Sequence, residues 1–257
     1  MNVFSKTAVS WARECLAAAN PIRILRKKIA RQNLGYAVNR NWPDVVHKYC
    51  DILGKDAAAA AHENGAPWIT LAAARGHFEC LEILLRSGAN PDSVESDGAS
   101  ALMLAAEFGN FRCVDALIAG GADVNALNFA GQSALARVAL RLIRSPGGPE
   151  VDYSRCIQRL IASGSDINHR HAGATLLRLS SGSGATDLAI ALLEAGAVFD
   201  PSSSSPPATA AYHHAMSSGQ WDCARGIEQY HQIFVDKAAM ETVSSPGSQA
   251  SRSRVRL

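Results

Sequence analysis

Residues 65–92 read GAPWITLAAARGHFECLEILLRSGANPD, and residues 98–125 read GASALMLAAEFGNFRCVDALIAGGADVN. Laid over one another they repeat at a spacing of 33 residues. Gly65 falls on Gly98, Ala72 and Ala73 on Ala105 and Ala106, Gly76 on Gly109, Gly88 on Gly121, and Asp92 on Asn125; Gly131 carries the register one step further. Each unit has the same internal order. A short Ala-rich segment (Ile69 to Arg75, Leu102 to Phe108) meets a Gly. A second segment (Phe78 to Arg86, Phe111 to Ala119) then sets Leu81, Leu84 and Leu85, or Val114, Leu117 and Ile118, at the i, i+3, i+4 spacing of a helix face. The pattern predicts helix, turn, helix. Alanines on the first helix let a neighbour approach closely, and Gly88 and Gly121 supply the positive φ that closes the second. Neither helix pair can bury its apolar face alone, so the units must stack.

The order Gly, Ala-Ala, Gly, Leu-Leu, Gly-Ala at this period resembles the ankyrin repeat family, whose motif reads Gly-x-Thr-Pro-Leu-His-x-Ala-Ala, then Gly, then Leu-Leu-x-x-Gly-Ala. The resemblance covers roughly residues 33–230. It implies an all-α ankyrin-repeat solenoid of stacked helix-turn-helix pairs with short finger hairpins. Two repeats are regular, Gly65 to Asp92 and Gly98 to Asn125. A third, Gly131 to Gly164, keeps Ile157, Leu160 and Ile161 around an insertion at 143–152. A fourth runs from Gly173 through Leu192, Leu193, Gly196 and Ala197. Tyr212, His213, Ala215, Gly219 and Ile227 suggest a degenerate fifth, and Asn33 to Leu53 an N-terminal capping pair. The domain plan is therefore a basic segment at 1–31, a helical cap at 32–61, a repeat domain at 62–235 with a Ser/Pro loop at 201–207, and a disordered basic tail at 236–257.

Departures from the family motif fall where its stability lies. The Pro slot holds Trp68, Ala101, Ala134, Leu176 or Ala211; Thr stands only at Thr175, and only His213 matches the His slot. An array held by nearest-neighbour interfaces should then fray first at its degenerate C-terminal end.

The formal charge of +2 is unevenly spread: residues 1–31 hold seven Lys/Arg and one acidic residue, residues 32–236 hold 14 and 21, and the last 21 residues hold four and one. An acidic body repels phosphate backbones, so no nucleic-acid partner is expected. The basic first segment mixes Trp11, Leu16, Ile22, Leu25 and Ile29 with its cations. It reads as a solvated helix packed on the first repeat, as a segment in weak contact with an anionic membrane or directing the chain to mitochondria, or as a partner-binding arm. Pro201 to Pro207 is too rich in Ser and Pro to bury much surface and reads as a mobile loop. Ser145-Pro146, Ser205-Pro206 and Ser245-Pro246 are loop candidates for proline-directed phosphorylation.

Catalytic chemistry has no foothold: no P-loop, nucleophile elbow or dinucleotide fingerprint is present. The six cysteines include no C-x-x-C pair, and Cys80, Cys113, Cys156 and Cys223 share one slot, one residue before the buried apolar position of the second helix. Stacked helices lie about 8–10 Å apart, beyond the roughly 7 Å Cα separation of a disulfide. Buried free thiols in a reducing cytoplasm are expected. His169 and His171 alternate on a finger and His213 and His214 are adjacent on a helix, without the further ligands a metal site needs. Neither a metal nor any other cofactor is expected, and the Gly182-Ser183-Gly184 run reads as a turn.

The resemblance implies a partner protein held by finger tips and by exposed positions of the first helices. Carried over, those positions are His62, Glu63, Asn64 and Arg75, then Ser96, Asp97, Glu107 and Phe108, then Asn128, Phe129, Gln132 and Arg141, then Arg170 and His171. Phe108 and Phe129 stand out as aromatic anchors on adjacent units. A monomeric, cytoplasmic, non-catalytic adaptor, scaffold or inhibitor follows, with a membrane- or organelle-directed protein and a bacterial effector delivered into host cells, its basic tail an export signal, as alternatives.

Overall fold

The computed structural model describes residues 21–54, 67–144, 152–199 and 205–244. The first twenty residues, His62, Glu63 and Asn64, most of the 143–152 insertion, the core of the Ser/Pro loop and the last thirteen residues lie outside them. Among the described residues the chain forms twelve helices and one two-stranded ribbon, so it is all-α. It divides into two compact units: residues 1–138 with 150–164, and residues 139–149 with 165–257.

In the first unit the helices come in pairs: α1 (Pro21–Asn39) with α2 (Pro43–Leu53), α3 (Trp68–Arg75) with α4 (Phe78–Arg86), and α5 (Ala101–Glu107) with α6 (Phe111–Ala119). First helices stack in the order α1, α3, α5, and second helices in the order α2, α4, α6, then α8 (Tyr153–Ala162). The first helices meet through buried Ala37, Ala72, Ala73, Ala105 and Ala106, where the absence of larger side chains permits the approach. The second helices add Leu81, Leu84, Val114, Leu117, Ile157 and Leu160 to the core. Segment ends predicted from the sequence match to within a residue or so. α1 is the exception: it begins at Pro21 and runs unbroken across residue 31, where the charge distribution had suggested a boundary.

Neighbouring pairs are knit by polar side chains at the interhelical turns. Gly76 takes a left-handed conformation (φ 70°) to end α3, and Asn110 of the next turn donates from Nδ2 to the Ala73 and Ala74 carbonyls at 2.8 and 3.0 Å. His77 holds the Val38 carbonyl in the same way, Nδ1 to O 2.8 Å. At the finger bases Asp92 accepts from the Asp123 amide at 2.8 Å, and Asn125 donates to the Gly164 carbonyl at 3.0 Å. The Val38 and Ala73 carbonyls already accept from the Asn41 and Gly76 amides at 3.1 and 3.3 Å, so the His77 and Asn110 side chains add a second bond that ties one pair to the next.

The missing Thr-Pro step proves less costly than the sequence implies. Ser100 and Ser133 occupy the Thr slot and accept from the amides of Met103 (3.3 Å) and Ala136 (3.2 Å), as Thr175 does from Arg178 (3.4 Å). The hydroxyl, not the β-methyl, makes the N-cap.

The division between the units falls within α7 (Ala134–Arg144). In the second unit a hairpin of β1 (Arg170–His171) and β2 (Ala174–Thr175), in register Arg170 with Thr175, turns through Ala172 and Gly173, both at positive φ. That is the conformation of a two-residue hairpin loop. α9 (Leu176–Ser183) and α10 (Thr186–Glu194) follow, then α11 (Pro207–Ser217) and α12 (Trp221–Ser244), with α9 on α11 and α10 on α12. The fifth pair is thus fully helical, and α12 continues past residue 236. Gly182 and Ser183 belong to α9, so the turn begins only at Gly184 (φ 82°).

Candidate functional site

The surface built by the fingers and first helices of the first unit carries most of the residues singled out above. Finger one closes through Glu95 N to Ala99 O and Gly98 N to Glu95 O, both 2.9 Å, leaving Ser96 and Asp97 exposed at its tip. Finger two closes through Asn128 N to Gln132 O at 3.1 Å. The fingers join directly: the Phe129 amide donates to the Asp97 carbonyl at 3.1 Å, and the Phe129 ring covers Gly98, where a Cβ would meet it at 2.9 Å.

Phe129 is 83% exposed despite that contact, and Phe108, the C-cap of α5, is 45% exposed. Phe108 closes the C-terminal end of α5, and Phe129 lies over Gly98, three residues before the helix begins. Val94 and Leu127, 33 residues apart in the same finger slot, are exposed as well. The two fingers therefore present Val94, Leu127 and Phe129, a concentration of apolar side chains that the reading from the sequence did not assemble.

Between the rings lies Arg137, only 15% exposed, a residue absent from the sequence-based set. Its guanidinium pairs with Glu107 and stands 3.8 Å from the Asp97 carboxylate. Glu107 and Asp97, expected as contacts for a partner, are thus engaged with the protein's own cation. Repeat periodicity could not show this, since Arg137 is the only arginine in its slot. Asn128 departs further from expectation. It is buried, its Oδ1 accepting from the amides of Ala130 (3.0 Å) and Gln132 (2.8 Å) and its Nδ2 donating to the Gln132 side chain at 3.2 Å. Asn128 builds the finger and does not offer its amide outward, while Gln132 is half-buried with its Oε1 held by Asn128. Arg75 and Arg141 are exposed on first helices. Arg170 is exposed and His171 half-buried on the second unit's hairpin.

The opposite face of the first unit, on the second helices, is occupied by its own ladder. The Arg112 guanidinium lies 4.0 Å over the Phe78 ring and that of Arg155 3.9 Å over Phe111, while Arg159 pairs with Asp115 at 2.7 Å. Aromatic rings there are covered; on the finger side they are not.

Among the described residues no group of His, Cys, Asp and Glu is arranged to hold a metal, and Cys50, Cys80, Cys113, Cys156 and Cys223 are buried free thiols. Burial pushes Cys80 up to about 11 and Cys113 and Cys156 up to about 12, which keeps them protonated and poor nucleophiles. In the second unit His214 is held below its ordinary value, first by burial and then by nearby Arg178, with Ser181 Oγ 3.3 Å from its Nδ1. No described helix is long and apolar enough to cross a membrane.

Antiparallel helix pairs joined by finger turns and knit by turn-to-turn hydrogen bonds define a helical repeat protein. Residues 34–140 match the family model for ankyrin repeats (3 copies), and over that span the chain belongs to the ankyrin repeat family. The match begins inside α1, so it takes in the pair read as a cap. Repeats of this family generally mediate protein–protein interaction. No curated protein matches the chain.

Proposed function

We propose that this chain is a non-catalytic adaptor, scaffold or inhibitor that grips a partner protein through the fingers and first-helix face of its first unit. The observation that carries the reading is the exposure of Phe129 together with Val94 and Leu127 on adjacent fingers, with Phe108 at the far end of α5. Buried aromatic anchors dominate most interfaces, and these rings have no cover of their own. The exposed Arg75 on the first-helix line of the same unit supplies a charged contact at the rim. Five buried free thiols suit a reducing cytoplasm. The test is replacement of Phe108 and Phe129 by Ala, singly and together, followed by co-purification and mass spectrometry. Loss of one and the same partner from the double variant, with an unchanged melting curve, supports the reading. Undiminished capture by the folded double variant removes this face from the account.

A further inference from the structure

α1 has two apolar faces. Ala30, Leu34, Ala37 and Val38 are buried against α2 and α3. On the other side Leu25, Ile29 and Tyr36 are 45–53% exposed, and Trp42 just beyond the helix is equally so. At about 100° per residue, positions 25, 29 and 36 fall within roughly 40° of one another and nearly opposite the buried set. They lie along three helical turns, Leu25 and Ile29 on adjacent turns and Tyr36 two turns further on, with the exposed Gln32 and Asn33 on the turn between. Arg26 and Lys28, both exposed, border it on its two sides. At its end Tyr36 and Trp42 meet edge to face at 5.5 Å, with Arg40 lying 5.3 Å from the Tyr36 ring. No acidic residue lies between Glu14 and Asp44.

We infer that this stripe is a docking site for an anionic lipid surface. Charge decides among the occupants. A second copy of the chain would bring two acid-free basic helices together, and the preceding twenty residues are themselves basic on balance, so neither neutralises the border. An anionic surface does. The form of the stripe selects a membrane over an acidic protein: it is a straight ridge on one helix, not a groove, with cations along its edges and Tyr and Trp at one end. That arrangement lets apolar side chains enter the acyl boundary while guanidinium, ammonium and amphipathic rings stay at headgroup level. The site belongs to α1 and is independent of the finger surface.

The experiment is sedimentation of the full chain with vesicles of phosphatidylcholine, and of phosphatidylcholine mixed with phosphatidylserine. Binding is expected only to the mixed vesicles and should fall as salt rises. Arg26→Gln with Lys28→Gln should weaken it by roughly 25-fold, at about fivefold per cation. Leu25→Gln with Ile29→Gln should abolish it without changing the thermal melt, since both side chains are exposed. Protein that stays in solution with both vesicle types overturns the proposal, whether or not it then captures an acidic protein or self-associates. Binding that survives the Leu25/Ile29 change also overturns it, by assigning lipid affinity to the basic termini.

Discussion

The indole of Trp68 lies against the α-carbon of Gly35, in the space a side chain there would fill. Trp68 stands in the slot where the ankyrin motif has Pro, and α1 accommodates the larger residue by carrying no side chain opposite it. Glycine inside a helix ordinarily costs about 1 kcal/mol relative to alanine. Here the sign reverses. Gly35→Ala places its Cβ inside the ring and should destabilise the protein by about 1–3 kcal/mol, as overpacking does. Urea unfolding measures this, and Trp68→Leu in the same chain should restore most of the loss. A more stable single variant would contradict the packing described.

The serine caps give a second expectation. Ser100→Ala and Ser133→Ala each remove an acceptor from a buried helix start and should cost about 1 kcal/mol. Ser→Thr at either position should be close to neutral, because the hydroxyl is retained. Equal destabilisation by Ala and Thr would show that packing, not capping, sets the choice.

Much of the fold was legible in the chain because stacked repeats write each constraint more than once. Gly76 and Gly109, or Cys80 and Cys113, recur since the same turn and the same buried slot recur. What could not be read were the pairings between unlike residues. Trp68 against Gly35 and Arg137 against Glu107 are each unique, so no period reveals them. Ser100 and Ser133 were passed over because the motif names Thr, although the chemistry asks only for a hydroxyl. At the candidate site Phe108 and Phe129 were legible as exposed aromatics. The inward turn of Asn128 was not, because a polar finger residue reads the same whether it faces a partner or its own backbone.

Acidification should weaken the second unit. His214 is held below its ordinary 6.5 in the folded state, by burial first and Arg178 second. Above 6.5 the ring is neutral in both states and the full stability is present. As pH falls below 6.5 the unfolded chain takes up the proton before the folded one, so stability drops until the folded pKa is passed. Melting curves between pH 7.5 and about 5.5 check this against a His214→Gln control, which should show a flatter profile. Parallel profiles would assign the pH response to other groups.

Thiol chemistry offers a separate check on burial. In a Cys15→Ser background, the five remaining thiols should be silent to an aromatic disulfide reagent at neutral pH and all react in urea. Their raised pKa values and lack of exposure act in the same direction. Rapid reaction of Cys113 or Cys156 in the native protein would show that the second-helix stack opens.

The most direct measurement for the binding face is site-specific photocrosslinking in cells. A photoreactive phenylalanine analogue placed at Phe129 should yield a discrete adduct with a single partner protein, and one at Phe108 the same partner. The analogue at Arg86, exposed on α4 of the opposite side, should yield none. Adducts from Arg86 and silence from Phe129 and Phe108 would contradict the account, placing the interface on the second helices and leaving the fingers without a partner.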